Sequence, residues 1–95
     1  MRLRLTPQAL ADVEAVAAYL EVRNPLGARR VEAAIQDALV LIGRYPEIGP
    51  LGRQRVRRLA LPRYPYLIFY RVDERADTIA ILAVRHAARK PVSRS

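Results

Sequence analysis

The chain has 95 residues, 52% of them apolar and 27% charged, enough for one hydrophobic core and too apolar for wholesale disorder. It contains no cysteine, which excludes disulfide scaffolds, zinc ribbons and thiol catalysis together. The net charge of +8 is uneven: residues 1–50 carry six arginines against six acids, whereas residues 51–95 carry eleven bases against Asp73, Glu74 and Asp77.

Taken in chain order, Leu3 and Leu5 alternate with Arg2 and Arg4, a period of two that predicts a short strand with one buried face. Thr6-Pro7 then reads as a helix cap followed by proline at the first helical position, where a missing N–H costs nothing. Leu10, Val13, Ala17 and Leu20 form one apolar stripe, so this helix is expected to run to about Arg23. Asn24-Pro25 repeats the cap-and-proline start at once, predicting an antiparallel helical hairpin with a very short turn. The second helix presents Val31, Ile35, Ala38 and Ile42 on one side, and Leu39, Val40 and Leu41 spread apolar groups around its last turns. Such a helix needs cover on more than one side, from a loop or from a partner chain.

Tyr45 to Gly52 contains two prolines and two glycines and is expected to be a loop without helix or ladder. Three strands should follow. Arg55 to Leu61 alternates imperfectly, and its adjacent arginines suggest a bulge or a sheet edge. Pro65 to Val72 places Tyr66, Ile68, Tyr70 and Val72 on one face and Leu67 and Phe69 on the other, the pattern of a central strand covered twice. Residues 73–77 form a polar hairpin connection, and Thr78 to His86 is the returning strand. The expected fold is α+β in the order β-α-α-β-β-β: an N-terminal strand and a helical hairpin packed on a mainly antiparallel four-stranded sheet. We expect one domain over residues 1–95, with 87–95 as a basic C-terminal tail.

The longest apolar runs, residues 39–42 and 79–84, fall far short of the roughly 20 residues of a membrane-spanning helix. No signal-peptide-like stretch precedes Thr6, so a cytoplasmic protein without membrane contact is expected. One histidine, His86, and scattered carboxylates have no metal-ligand spacing, and neither a metal nor a cofactor is expected. Ser93 and Ser95 lie in a tail that nothing fixes beside an acid and a base, which argues against a serine hydrolase. The remaining chemistry is basic and aromatic. If the last two strands form a hairpin, Arg63, Tyr64, Tyr66, Arg85 and His86 gather at its open end, with Arg89 and Lys90 just beyond. Arginine beside tyrosine can hold a phosphate and a base, and a histidine can move a proton during RNA cleavage. The competing reading is structural, with His86 half-buried at a strand end and the tyrosines packed into the sheet.

Several motifs recur in a familiar order: Asn24-Pro25 with Ala28-Arg29-Arg30, Tyr45-Pro46-Glu47-Ile48-Gly49, Arg58-Leu59, Tyr64 to Arg71, and Ile81 to His86 followed by Arg89-Lys90-Pro91. Together they resemble the ParE/RelE superfamily, the toxin halves of bacterial type II toxin–antitoxin modules. RelE-like members cleave messenger RNA on the ribosome, whereas ParE-like members poison DNA gyrase and serve in plasmid stabilisation. The ribonuclease pattern places arginine after the tyrosine of the central strand, where this chain has Leu67, and supplies a C-terminal tyrosine, which residues 87–95 lack. The loop and the Arg-His ending look more like the ParE side. The resemblance therefore implies a gyrase-poisoning toxin rather than an enzyme, held inactive by a ParD-like antitoxin with an acidic C-terminal segment. The alternatives it leaves are a RelE-like endoribonuclease acting on ribosome-bound messenger through His86, and a non-toxic relative that only binds antitoxin. Arg58, Arg63, Tyr66, Arg85, His86, Arg89 and Lys90 are the expected target or antitoxin surface, and Leu39 and Leu41 the expected antitoxin groove.

Overall fold

The computed structural model describes residues 1–88. Its elements are β1 (Arg2–Leu5), α1 (Pro7–Arg23), α2 (Pro25–Arg44), β2 (Arg57–Ala60), β3 (Tyr66–Asp73) and β4 (Thr78–His86). The two helices pack on one face of a four-stranded sheet of order β1-β4-β3-β2, in which β1 runs parallel to β4 and the other pairs are antiparallel. The β-α-α-β-β-β order and the mainly antiparallel sheet agree with the sequence reading.

Both helix starts are built as the cap residues dictate. The Thr6 hydroxyl accepts from Ala9 N–H at 3.2 Å and donates to Ile81 C=O at 2.9 Å, so one side chain caps α1 and ties it to β4. Asn24 accepts from Gly27 N–H at 3.0 Å, and it alone separates the two helices. The core joins Val31, Ile35, Ala38, Leu39 and Ile42 of α2 to Ile68 and Tyr70 of β3 and to Ile79, Ile81 and Val84 of β4.

Several expectations need correction. Leu10 is half exposed, because the buried side of α1 follows Ala9, Val13, Val16 and Leu20; the small Ala9 sits where Thr6 holds the helix close to β4. The second strand starts at Arg57 rather than Arg55, since Arg53–Arg55 is a tight turn with Gln54 and Arg55 at positive φ. β2 is an edge strand, and the register shift of the sheet lies instead between Phe69 and Tyr70, where Leu82 is the extra residue of β4. Leu51 makes a single bridge to Arg57, so the 45–52 loop is not wholly free of pairing. Finally, β3 is covered on one face only. Tyr66, Ile68 and Tyr70 are buried under the helices, while Leu67 and Phe69 are half-buried on a face that no described element covers.

Candidate functional site

Successive residues of a strand point to opposite faces, and this alternation divides the residues grouped by the sequence. Tyr66 and His86 are cross-strand partners on the helix-covered face, their rings edge to face with centroids 5.4 Å apart. Arg85 pairs with Leu67 and Arg58 with Phe69, which puts both arginines on the helix-free face. Arg63 is exposed in the connection between β2 and β3. Arg89 and Lys90 lie outside the described residues. Of the expected cluster, Tyr64, Tyr66, Arg85 and His86 still line one cleft at the open end of the hairpin, although Arg85 projects from the helix-free face, whereas Arg58 lies beyond the thickness of the sheet.

On the covered side, a cleft of about 800 Å³ opens between α1, the helix junction and the far end of the β3–β4 hairpin. Asp12, Tyr19, Tyr64, Tyr66, Arg85 and His86 line it. His86 Nδ1 accepts from Ala88 N–H at 3.2 Å, so in the neutral ring the proton sits on Nε2. Asp12, the carboxylate of this cleft, is already engaged. One of its oxygens accepts from Val84 N–H at 3.0 Å and the other from the Gln8 amide at 2.7 Å. The reason lies in the sheet: β1 pairs with β4 only as far as Ile81, and the open edge beyond it needs an acceptor for Val84. No sequence pattern announces that role for Asp12, because the contact spans 72 positions.

The helix-free face carries a different chemistry. Arg2 and Arg4 of β1 and Arg71 of β3 share it with Arg58 and Arg85, in register through Thr78 and Ala80 of β4. The signal for this grouping was present in the sequence, since each of these arginines is out of phase with a buried neighbour. Among the described residues no arginine pairs with a carboxylate; the single ion pair joins the N-terminal ammonium to Asp77 at 3.9 Å. Asp73, at the turn end of β3, is the one carboxylate of that face. The face can therefore attract anions, but it holds no histidine, tyrosine or cysteine that would move a proton beside Arg58 and Arg85.

Of the expected groove residues, Leu39 belongs to the core at 9% exposure, packed with Ile35 and Ile42. Leu41 reaches the surface, where Val40, Tyr45 and Ile48 are also exposed. A groove at this end would rest on Val40 and Leu41 rather than on Leu39.

Against known proteins, the family model for the ParE toxin of the type II toxin–antitoxin system, parDE, matches residues 3–91. The chain belongs to the ParE toxin family. Two toxins resemble this ParE-family chain over most of both lengths. The putative toxin Y4kP of Sinorhizobium fredii is 38% identical over 87 residues, covering 90% of this chain and 88% of its own. Toxin RelE2 of Caulobacter vibrioides is 36% identical over 84 residues, covering 88% and 92%. In three dimensions, a chain of the chromosomal ParDE system from P. aeruginosa superposes with a TM-score of 0.76 at 26% identity, over 90% of this chain and 95% of that one. The isolated E. coli RelE toxin superposes at 0.67, covering 96% and 88%, and at 18% identity it attests the fold alone. This chain is thus a type II toxin of the ParE/RelE superfamily, and membership implies a cognate antitoxin. Among its described residues no helix is long and apolar enough to cross a membrane.

Proposed function

We propose that this ParE-family toxin poisons DNA gyrase in the cytoplasm and is neutralised by a ParD-like antitoxin with an acidic C-terminal segment. One observation carries the choice over ribonuclease activity. His86, the chain's one histidine, sits on the helix-covered face, whereas Arg58 sits on the opposite face, and Arg85 is the one arginine that lines the histidine's cleft. Cleaving RNA requires a proton-transfer group within hydrogen-bond reach of the atoms whose charge the arginines stabilise. A sheet lies between His86 and Arg58, which leaves Arg85 alone beside the histidine. A gyrase poison needs no such constellation; it needs a surface. In this reading Arg58, Arg63 and Arg85 form part of the target surface, and the antitoxin segment seats apolar residues on the exposed Val40 and Leu41 of α2 while its acidic groups draw it to the basic chain.

The test is a supercoiling and DNA-cleavage assay of gyrase with the purified chain, run beside a cleavage assay on ribosome-bound messenger. Trapped, cleaved plasmid with intact messenger is the expected result. Cleaved messenger with unaffected gyrase overturns the proposal in favour of ribonuclease activity. Harmless expression without antitoxin, with both assays negative, reduces the chain to an antitoxin-binding relative.

A further inference from the structure

We infer that the helix-free face of the sheet, continued by the Arg53–Arg55 turn, is a binding surface for duplex DNA. The inference deepens the gyrase reading, on which its biological setting rests, by giving the toxin a direct contact with the DNA as well as with the enzyme.

The first support is the layout of charge. Arg4, Ala80 and Arg71 form one row across three strands, so the two arginines stand about 10 Å apart at ordinary strand spacing. Arg58, Phe69 and Ala83 form a second row, and Ala60, Leu67 and Arg85 a third. Side chains spread over rows one or two strands apart do not all converge on a single anion. They match a ligand that carries charge over a wide area, and a DNA duplex presents one negative charge about every 1.7 Å of axis. These arginines are also free of ion pairs among the described residues, so binding breaks no internal salt bridge.

The second support is the strained turn beside this face. Gln54 at φ 56° and Arg55 at φ 62° are consecutive non-glycine residues in the left-handed region, a conformation that persists only where the surroundings impose it. Here Gly52 N–H donates to Val56 C=O at 2.7 Å and Val56 N–H donates to Arg53 C=O at 3.0 Å. Arg71 Nε, from the sheet face itself, donates to Gln54 C=O at 3.3 Å. The turn therefore presents exposed Arg53 and Arg55 as an extension of the same basic surface, held there by one of its arginines.

The chemistry between the arginines selects among polyanions. Single-stranded nucleic acid is held largely by stacking bases on several aromatic rings, and this face offers one, the half-buried Phe69. An amphipathic acidic helix needs a pocket for its apolar anchors. Leu67 and Phe69 stand half-buried among Ala60, Ala80 and Ala83, and of this face's arginines only Arg85 borders either of the two clefts described, so no such pocket opens among Arg4, Arg58 and Arg71. Phosphate contacts from a basic surface with no pocket among its arginines fit a duplex backbone.

The experiment is fluorescence anisotropy of the full chain with a labelled duplex of about 20 base pairs, between about 50 and 200 mM salt. If about four phosphates are neutralised, affinity falls about a hundredfold over that range. Substituting Arg4→Ala, Arg71→Ala and Arg85→Ala together should weaken binding at least about tenfold and lower the salt slope by about one for each phosphate that is no longer neutralised. Should that variant melt early, Arg58→Gln with Arg85→Gln replaces it. The matched control, Arg29→Ala with Arg30→Ala on the exposed side of α2, should bind as the parent does. Unchanged binding by the face variants, or an equal loss in the control, overturns the inference. So does stronger competition by single-stranded DNA, RNA or polyglutamate than by unlabelled duplex. The same preparations enter the gyrase assay. Poisoning by a parent chain that binds no duplex defeats this inference and leaves the gyrase reading standing, whereas intact duplex binding without poisoning defeats the gyrase reading alone.

Discussion

Tyr70 accepts a hydrogen bond from Gly49 N–H at 2.9 Å and donates one to Pro46 C=O at 2.7 Å, so one fully buried phenol fastens the 45–52 loop to the central strand. The Arg57 guanidinium closes the same loop from the edge strand, donating to Gly49 C=O at 2.8 Å. Tyr70→Phe keeps the ring and removes both bonds, leaving a buried donor and acceptor unpaired at a cost of about 1–3 kcal/mol. In a domain of this size that is a fall in Tm of roughly 5–15 °C. Thermal unfolding followed by circular dichroism checks it, and an unchanged Tm would show that the loop is held by packing alone.

Two glycines should respond in opposite directions. A Cβ at Gly49 would stand 2.9 Å from both Arg58 C=O and the Tyr70 hydroxyl, and neither the strand backbone nor a bonded phenol can move aside cheaply. Gly49→Ala is therefore expected to destabilise by about 1–3 kcal/mol. At Gly43, inside α2, a Cβ meets nothing within 4 Å. Alanine there should stabilise by about 1 kcal/mol through helix propensity, raising Tm by roughly 4–8 °C. Denaturant melts of the two variants beside the parent decide both signs.

Asp12 protects a sheet edge by hydrogen bonding rather than by repulsion. Replacing it with alanine leaves Val84 N–H without its acceptor beside the cleft, at an expected cost of about 1–2 kcal/mol. Amide hydrogen exchange reads this locally. Exchange at Val84 should accelerate about tenfold, while Leu61 N–H, bonded to Tyr66 C=O on the opposite side of β3, keeps its rate. Asp12→Asn retains a carbonyl acceptor and should lie near the parent. Equal acceleration at both amides would point to global destabilisation instead.

The fold was legible because its signals are local. Thr6-Pro7 and Asn24-Pro25 start the helices where the structure has them, and the alternation of residues 66–72 and 78–86 yields the central hairpin. The site was less legible because it depends on faces. A hairpin brings Arg85 and His86 to the same end, where both line one cleft, yet Arg58 is in phase with Phe69 and falls on the other side, so placing it on one surface with His86 ignored the period of two that had identified the strand. Arg2, Arg4 and Arg71 could have been assigned to the face of Arg58 and Arg85 by the same rule. The Asp12–Val84 contact, the Tyr70 clamp and the left-handed backbone at Gln54 and Arg55 arise from tertiary closure, and no spacing in the sequence encodes them.

The separation of His86 from Arg58 also makes their substitutions unequal. His86→Gln removes the ring that meets Tyr66 edge to face and the only histidine of the chain. Its expected cost is about 1 kcal/mol of stability, with toxicity and gyrase cleavage unchanged. Arg58→Ala combined with Arg85→Ala touches two exposed side chains without ion pairs among the described residues. Stability should move by less than about 0.5 kcal/mol per site, while toxicity on induction falls at least about tenfold, for the loss of positive charge at the target surface. Colony survival after induction, paired with the Tm of each purified variant, separates the two effects. Survival restored by His86→Gln at an unchanged Tm would instead mark the histidine as the working group and return the ribonuclease reading to first place.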